Sequence, residues 1–198
     1  MSANTPVKIQ GKYLYWFEEF ADGSQLHLVE NLDEQEQVVA KMTDAGFSPA
    51  VPGFVLSTRL FHDFIGQNEL DEAIRQLVLE YSYGVETLSS ASAAIRALIS
   101  KGQFNQPQTR DITSAYRHLA GQVANAELAV KSFVPGSSRE AHGFLAQQEC
   151  ELTAICPQTI LLACIECFAS LYNDAAILYR EEQGITCPQL VICVSASG

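Results

Sequence analysis

Cysteines offer the most conspicuous chemistry in this sequence, and two of them form the pair Cys164-x-x-Cys167. Such a pair is typical of thiol redox sites and of half a zinc site. A redox pair normally opens a helix, where the dipole lowers the thiol pKa, but this pair lies inside the apolar run 160–172. A zinc site needs two further ligands, and no histidine is near in sequence. We therefore favour packing as small hydrophobic side chains, with zinc and redox as alternatives. The six cysteines are Cys150, Cys156, Cys164, Cys167, Cys187 and Cys193.

The histidines and serines show no spacing that implies a partner acid or nucleophile. The histidines are His27, His62, His118 and His142. We interpret each as an ordinary surface or core residue, and His142 lies in the Pro/Gly/Ser loop 134–143. In that loop, Gly136-Ser137-Ser138 could form a short anion-binding nest, although a solvated loop is the favoured interpretation. No metal site is predicted.

Composition and charge exclude several classes of partner. The chain has 198 residues, 47% of them hydrophobic, and a net charge of −11. This length allows one sizeable core or two small subdomains, and an acidic surface repels nucleic acid and anionic membranes. The N-terminus lacks the apolar region of a signal peptide, and Glu166 interrupts the run 160–172, which is short for a membrane span. We expect a cytoplasmic protein.

Hydrophobic periodicity predicts an α+β protein, with mixed helices and a small antiparallel sheet. Residues 127–133 and 144–154 are predicted to pair as a hairpin. Thr58 is predicted to cap a helix, and the longest helix is predicted at 158–183. The other predicted strands are 13–17, 26–29, 54–57 and 190–196, and further helices begin near Asp33, Thr58, Leu70, Leu88 and Ile112. The chain is predicted to form a single domain over 1–198, with a possible internal boundary near 102–110.

Three stretches carry a resemblance to a known family. They are AGFSPAVPGFVLSTRLFHDFI at 45–65, AVKSFVPGSSREAHGFLAQQE at 129–149 and CFASLYNDAAILYREEQGI at 167–185, and WFEEF at 16–20 echoes a shorter motif. In this order and spacing they resemble the N-terminal nucleotide-binding domain of phosphoenolpyruvate synthase and pyruvate phosphate dikinase. Any one of them alone would be an ordinary strand, turn or helix, so their ordered combination carries the resemblance.

The resemblance implies the first subdomain of an ATP-grasp fold. It also implies that several residues lie near the bound nucleotide. ATP and magnesium would be the cofactors if the ancestral site is retained. The nucleotide-proximal positions would be Lys131, Ser132, Gln148, Glu149 and Arg180. The related enzymes transfer phosphoryl groups from ATP to pyruvate through a phosphohistidine, and such chemistry depends on cations that stabilise the transferred group.

The charged positions of the family pattern are the ones that differ here. The family's early Gly-Gly-Lys falls on 29–31, where Asn31 replaces the lysine. The acidic pair of the central loop falls on Ser137 and Ser138, and an arginine of the last motif falls on Ala175. Lys131 replaces an arginine, which removes bidentate phosphate contact. Residues 127–198 hold three basic residues against eight acids, which disfavours a polyphosphate.

These departures favour a degenerate, non-catalytic relative that acts as a binding or regulatory module. The alternatives are one half of a split ATP-dependent phosphotransferase and a fragment of a longer protein, since the second subdomain and the phosphohistidine domain are not in this sequence. A first subdomain without its partner exposes apolar surface. We therefore expect a homo-oligomer or a protein partner that covers this surface.

Overall fold

The computed structural model describes residues 13–18, 51–122, 127–133 and 151–196, and for Phe133 and Glu151 it describes only the backbone. These residues form five strands and six helices. The strands are β1 (Leu14–Trp16), β2 (Gly53–Leu56), β3 (Leu128–Phe133), β4 (Glu151–Ala154) and β5 (Val191–Ala196). The helices are α1 (Thr58–Gln67), α2 (Asp71–Ser82), α3 (Leu88–Lys101), α4 (Gln106–Ala120), α5 (Pro157–Ser170) and α6 (Asp174–Gln183).

The strands form a single antiparallel sheet in the order β1-β2-β5-β3-β4. The last strand in the sequence, β5, is therefore the central one, and both of its faces are buried. The β3–β4 pairing confirms the predicted hairpin over the part of 144–154 that the structure describes. The helices and the antiparallel sheet confirm the α+β class. The predicted strand 26–29 and the helix near Asp33 lie outside the described residues.

One face of the sheet packs against the helical layer, and we call it the helical face. Phe54, Val130, Ile192 and Val194 lie on this face and belong to the main hydrophobic cluster. The other face, called the second face, carries Val55, Ala129, Lys131 and Cys193. The assignment follows from the strand registers, because directly opposed residues share a face.

Aromatic side chains hold the helices together. The ring of Phe64 in α1 lies 5.2 Å from Phe168 in α5 and 5.0 Å from Phe104, centre to centre. Phe104 belongs to the loop between α3 and α4, which lies within the predicted boundary region 102–110. The hydrophobic cluster thus continues from α3 through this loop to α4.

The prediction of one helix over 158–183 is wrong, because the chain breaks at residues 171–173. Asn173 starts a new helix there: its side-chain oxygen accepts a hydrogen bond from the backbone N–H of Ala176 at 2.7 Å. Asparagine competes for backbone donors in this way and favours helix starts over helix interiors. The two helices α5 and α6 differ in direction by 50°. The sequence analysis missed this break because the apolar periodicity continues across it.

The prediction that Thr58 caps α1 is also wrong. Ser57 occupies the cap position, and no side-chain cap bond forms. The Thr58 hydroxyl instead donates to the carbonyl of Leu190 at 3.0 Å and accepts from the N–H of Leu190 at 3.2 Å. These bonds connect the start of α1 to the residue that precedes β5. The sequence separation of 132 residues explains why a local rule missed this contact.

Membrane-span criteria are not met by any single helix within the described ranges. The pair α5 and α6 meets them together by length and composition, with the 50° bend between the two helices.

Candidate functional site

The predicted site residues on β3 lie on opposite faces of the sheet. Lys131 is half-buried on the second face, whereas Ser132 is 1% exposed on the helical face, beside Ile192 of β5. This separation follows from the two-residue repeat of a strand, in which neighbouring side chains point in opposite directions. The structure therefore does not bring Lys131 and Ser132 together into one site.

Lys131 lies next to an apolar strip on the central strand. Its Cα pairs with Cys193 of β5, and Cys193 in turn pairs with Val55 of β2. Cys193 is fully buried, and burial raises the pKa of its thiol. On the other side, the backbone of Lys131 pairs with Glu151 of β4. Lys131 thus places a positive charge at the boundary between this buried strip and the outer strand of the sheet.

Arg180 lies in the helical layer, away from Lys131. Its guanidinium donates a hydrogen bond to the carbonyl of Leu171, at the end of α5, and lies 5.0 Å from the centre of the Tyr172 ring. Burial lowers the pKa of Arg180, and the interaction with Tyr172 opposes this effect. Burial likewise raises the pKa of Tyr172 to about 12. The arginine that the resemblance assigned to the nucleotide therefore stabilises the α5–α6 junction.

The remaining predicted positions fall into two groups. Ala175, where the family pattern has an arginine, is a half-buried residue in the first turn of α6 and brings no charge. Gln148 and Glu149 lie outside the described residues, as do the departures from the family pattern at Asn31, Ser137 and Ser138 and the loop histidine His142.

The Cys164-x-x-Cys167 pair packs inside the core, as the favoured interpretation predicted. Both residues lie on α5, are fully buried and belong to the main hydrophobic cluster. Burial raises the pKa of Cys164 to about 12, so this thiol stays protonated at neutral pH. No disulfide joins the described cysteines, and no group of three or more potential metal ligands occurs among the described residues.

The described histidines occupy different environments. His118 on α4 packs edge-on against Trp16, with ring centres 5.1 Å apart. His62 on α1 is exposed, and its Nε2 lies 3.7 Å from the sulfur of Cys187. The second contact joins residues 125 positions apart in the sequence, and spacing rules did not predict it.

Sequence reasoning also missed a cleft of about 580 Å³ in the helical layer. Its walls come from α1, α2, α6 and the segment 184–188. The lining is mainly apolar and includes the polar residues Arg180, Tyr172, Asp71 and His62. These elements are far apart in sequence, so no local pattern could have indicated that they enclose a common space.

Comparison with known families assigns the domain. The family model of the pyruvate phosphate dikinase AMP/ATP-binding domain matches residues 31–196. The chain belongs to this family. The match includes every described element except β1, and it confirms the resemblance that the three sequence motifs indicated.

Curated relatives of this AMP/ATP-binding domain are phosphoenolpyruvate synthases. The enzyme of Pseudomonas aeruginosa (strain UCBPP-PA14) is 29% identical over 163 residues, which are 80% of this chain and 21% of the relative. That of Escherichia coli (strain K12) is 32% identical over 142 residues, 71% of this chain and 18% of the relative. A probable phosphoenolpyruvate synthase of Methanocaldococcus jannaschii is 26% identical over 176 residues, 87% of this chain and 14% of the relative. The chain spans about a fifth or less of the length of these relatives.

Proposed function

We propose that this chain is a degenerate, non-catalytic member of the AMP/ATP-binding domain family that acts as a binding or regulatory module. In this proposal the antiparallel sheet and its helical layer correspond to the first subdomain of an ATP-grasp fold. The framework of the family is retained, and the positive charges that phosphoryl transfer needs are fewer or lie apart from one another.

The placement of Arg180 carries the proposal. Its guanidinium contacts the Leu171 carbonyl and the Tyr172 ring, which belong to the helical layer, whereas Lys131 lies on the second face of the sheet. Phosphoryl transfer relies on cations that converge on the transferred group. Two cations separated by the sheet cannot converge on one triphosphate, and Ala175 supplies none.

The charge balance around Lys131 supports the same conclusion. Residues 127–198 hold three basic residues and eight acids, so the field near β3 disfavours a polyanion. A lysine also contacts phosphate as a point charge, without the bidentate geometry of the arginine that the family pattern has at this position. Lys131 alone is therefore a weak anchor for Mg-ATP.

Exposed apolar side chains support a protein partner as part of the proposal. Ile155 before α5 is 62% exposed, and Leu162 within α5 is 60% exposed. A homo-oligomer or a separate protein would remove such side chains from water. Light scattering at high protein concentration tests this part: a multiple of 21.7 kDa is expected for self-association.

A nucleotide titration tests the proposal directly. Binding to the native state must raise the melting temperature, so millimolar Mg-ATP or Mg-AMP should leave it unchanged. Isothermal calorimetry should show no saturable heat, and Lys131→Ala should behave as the unchanged chain does. A saturable stabilisation of several degrees that Lys131→Ala abolishes would overturn the non-catalytic assignment.

The second candidate is one half of a split ATP-dependent phosphotransferase that converts pyruvate to phosphoenolpyruvate. The position of Lys131 on β3, next to the central strand, favours it, because a second subdomain could place further cations opposite this residue. Two observations would favour this candidate over the first. A neighbouring reading frame would encode the carboxylate-bearing half of an ATP-grasp domain, and the chain would bind nucleotide only after co-expression with it. In that case Lys131→Ala should abolish the binding.

A further inference from the structure

The cleft between α1, α2 and α6 has the size and lining of a small-molecule site. Its volume of about 580 Å³ lies within the usual range of about 300–1,000 Å³ for ligand pockets. Ile74 and Val78 of α2 and Ile177 of α6 line it, and the cationic residue Arg180 lines it as well. An apolar cleft with a few polar groups is the usual composition of such sites.

Arg180 is the cation of this cleft that lacks a carboxylate partner. Among the described residues, no aspartate or glutamate oxygen lies within 4.0 Å of its guanidinium. The guanidinium donates a hydrogen bond to the Leu171 carbonyl. The other arginine of the lining, Arg75, is different, because it forms a bidentate pair with Glu72 on the same helix. A guanidinium has five N–H donors, so Arg180 retains the capacity to bind a further acceptor.

The energetics favour an anion beside Arg180. A partly buried charge without an opposite charge loses hydration that a single carbonyl and an aromatic ring only partly replace. The lowered pKa of Arg180, which burial causes, reflects this cost. An oxyanion in the cleft would restore the lost interaction through charge-assisted hydrogen bonds.

We propose that this cleft binds an organic monoanion, with a carboxylate that contacts Arg180 and an apolar body that lies against α2 and α6. The proposal goes beyond the proposed function, because the cleft lies in the helical layer and Lys131 lies on the second face of the sheet. A module that has lost nucleotide chemistry could still respond to a small carboxylic acid through this site.

The acids of the lining limit the ligand to a single negative charge. Asp71 at the start of α2 and Glu181 in α6 also line the cleft. Glu181 accepts hydrogen bonds from Tyr81 at 3.2 Å and from Ser82 at 3.5 Å, so it is held on the α2 side. A dianion or a polyphosphate would meet repulsion from both carboxylates. The cleft therefore selects a carboxylate over a phosphate ester with the same body.

Cys187 supplies a reporter of occupancy at the rim. It is exposed and lines the cleft, and its sulfur lies 3.7 Å from Nε2 of His62. A ligand in the cleft should slow alkylation of Cys187. Cys156, before α5, is absent from the cleft lining and serves as the internal reference.

The experiment titrates the full chain with 4-phenylbutyrate by calorimetry and compares ligands that share its body. We expect saturable binding of the acid, with at least tenfold weaker binding of the neutral 4-phenylbutanamide, the cationic 4-phenylbutylamine and the dianionic 4-phenylbutyl phosphate. Equal affinity for acid and amide would overturn the proposal, as would the absence of saturable binding by 10 mM acid. Lys131→Ala should bind the acid unchanged, so failure here is distinct from failure of the proposed function.

Variants at Arg180 test the contact itself. Arg180→Gln should weaken binding of 4-phenylbutyrate by roughly tenfold or more, since a hydrogen bond to a charged group is lost, and Arg180→Lys should retain part of the affinity. If Arg180→Gln does not fold, the alkylation rate of Cys187 in the unchanged chain, measured with and without the acid, tests the proposal instead. Saturating acid should slow its alkylation severalfold relative to Cys156, and equal rates would contradict the proposal. A folded Arg180→Gln variant with full affinity would overturn it as well.

Discussion

The guanidinium of Arg180 lies 5.0 Å from the centre of the Tyr172 ring and donates a hydrogen bond to the carbonyl of Leu171. Leu171 is the residue at which α5 ends, so its carbonyl has no partner within that helix. Arg180 thus connects the second turn of α6 to the end of α5. The family motif CFASLYNDAAILYREEQGI encodes this junction, because it contains both partners.

Replacing Arg180 by methionine should destabilise the protein by about 1–3 kcal/mol. The variant keeps an aliphatic stem but loses the charged donor of the Leu171 carbonyl and the cation–π contact. Urea unfolding measures the change. Arg75→Met on the exposed side of α2 is the matched control, expected within about 0.5 kcal/mol of the unchanged chain. Equal stabilities of the two variants would argue against a structural role for Arg180.

Gly53→Ala should prevent normal folding or lower stability by several kcal/mol. A Cβ at position 53 would lie 2.4 Å from the Phe17 ring and 2.6 Å from the carbonyl oxygen of Val194, and the second of these is backbone that cannot rotate away. Overpacking of this kind costs about 1–3 kcal/mol or more. Thermal unfolding by circular dichroism measures the effect.

Gly66→Ala provides the control for Gly53→Ala. The added Cβ meets nothing closer than Asp71 at 3.9 Å, and the residue lies in α1. Because alanine favours a helix over glycine, the variant should be stabilised by up to about 1 kcal/mol. A destabilised Gly66→Ala variant would show that the space around α1 is tighter than the structure indicates.

Asn173→Ala should lower stability by about 1 kcal/mol through loss of the α6 cap. The side chain accepts from the N–H of Ala176 at 2.7 Å, and alanine leaves this donor without its acceptor. Asn173→Asp keeps an acceptor and adds a charge that suits a helix start, so it should match or exceed the unchanged chain. Denaturant midpoints at pH 7 separate the two variants, and an unchanged midpoint for Asn173→Ala would mean that the cap contributes nothing.

Alkaline pH should destabilise the fold through Tyr172. Burial raises the pKa of this phenol from 10.0 to about 12. Above pH 10 the unfolded chain therefore releases a proton that the folded chain retains, and the free energy of unfolding falls between pH 10 and 12. A difference of one pKa unit between the folded and unfolded states corresponds to about 1.4 kcal/mol. The free energy of unfolding of the unchanged chain should therefore fall by up to roughly 3 kcal/mol more than that of Tyr172→Phe.

Chemical denaturation from pH 7 to 12 measures this dependence. Below pH 9 the curves of Tyr172→Phe and the unchanged chain should run parallel, because the phenol is protonated in both states. Above pH 10 the free energy of unfolding of the unchanged chain should fall more steeply than that of Tyr172→Phe. Parallel curves over the whole range would show that Tyr172 ionises equally in the folded and unfolded states.

Alkylation should separate the cysteines by burial. Cys187 is exposed, and hydrogen bonding by Thr159 lowers the pKa of Cys156, so these two should react first with iodoacetamide at neutral pH. Cys164, Cys167 and Cys193 are fully buried and should react only after unfolding in guanidinium. Peptide mass spectrometry measures each rate. Rapid reaction of Cys164, or a lower melting temperature after chelation, would favour the redox or zinc alternative over packing.

The sequence alone determined the family, the α+β class and most element positions. The motif at 45–65 predicted β2 and α1 because its apolar spacing changes there from the period of a strand to that of a helix. The strand 127–133 and its antiparallel partner were predictable for the same reason. Local patterns of this kind depend on residues a few positions apart, and a single sequence displays them fully.

Tertiary structure alone decided which of the predicted site residues share a site. The pleat of β3 places Lys131 and Ser132 on opposite faces of the sheet. The helix break at Asn173 changes the direction of the chain, so that Arg180 lies in the helical layer and contacts Leu171 and Tyr172. The contact of Thr58 with Leu190 and the cleft that Arg180 lines also join segments far apart in the chain. Sequence spacing carries no record of such contacts, because the close packing of the whole hydrophobic core sets them and not the residues a few positions away.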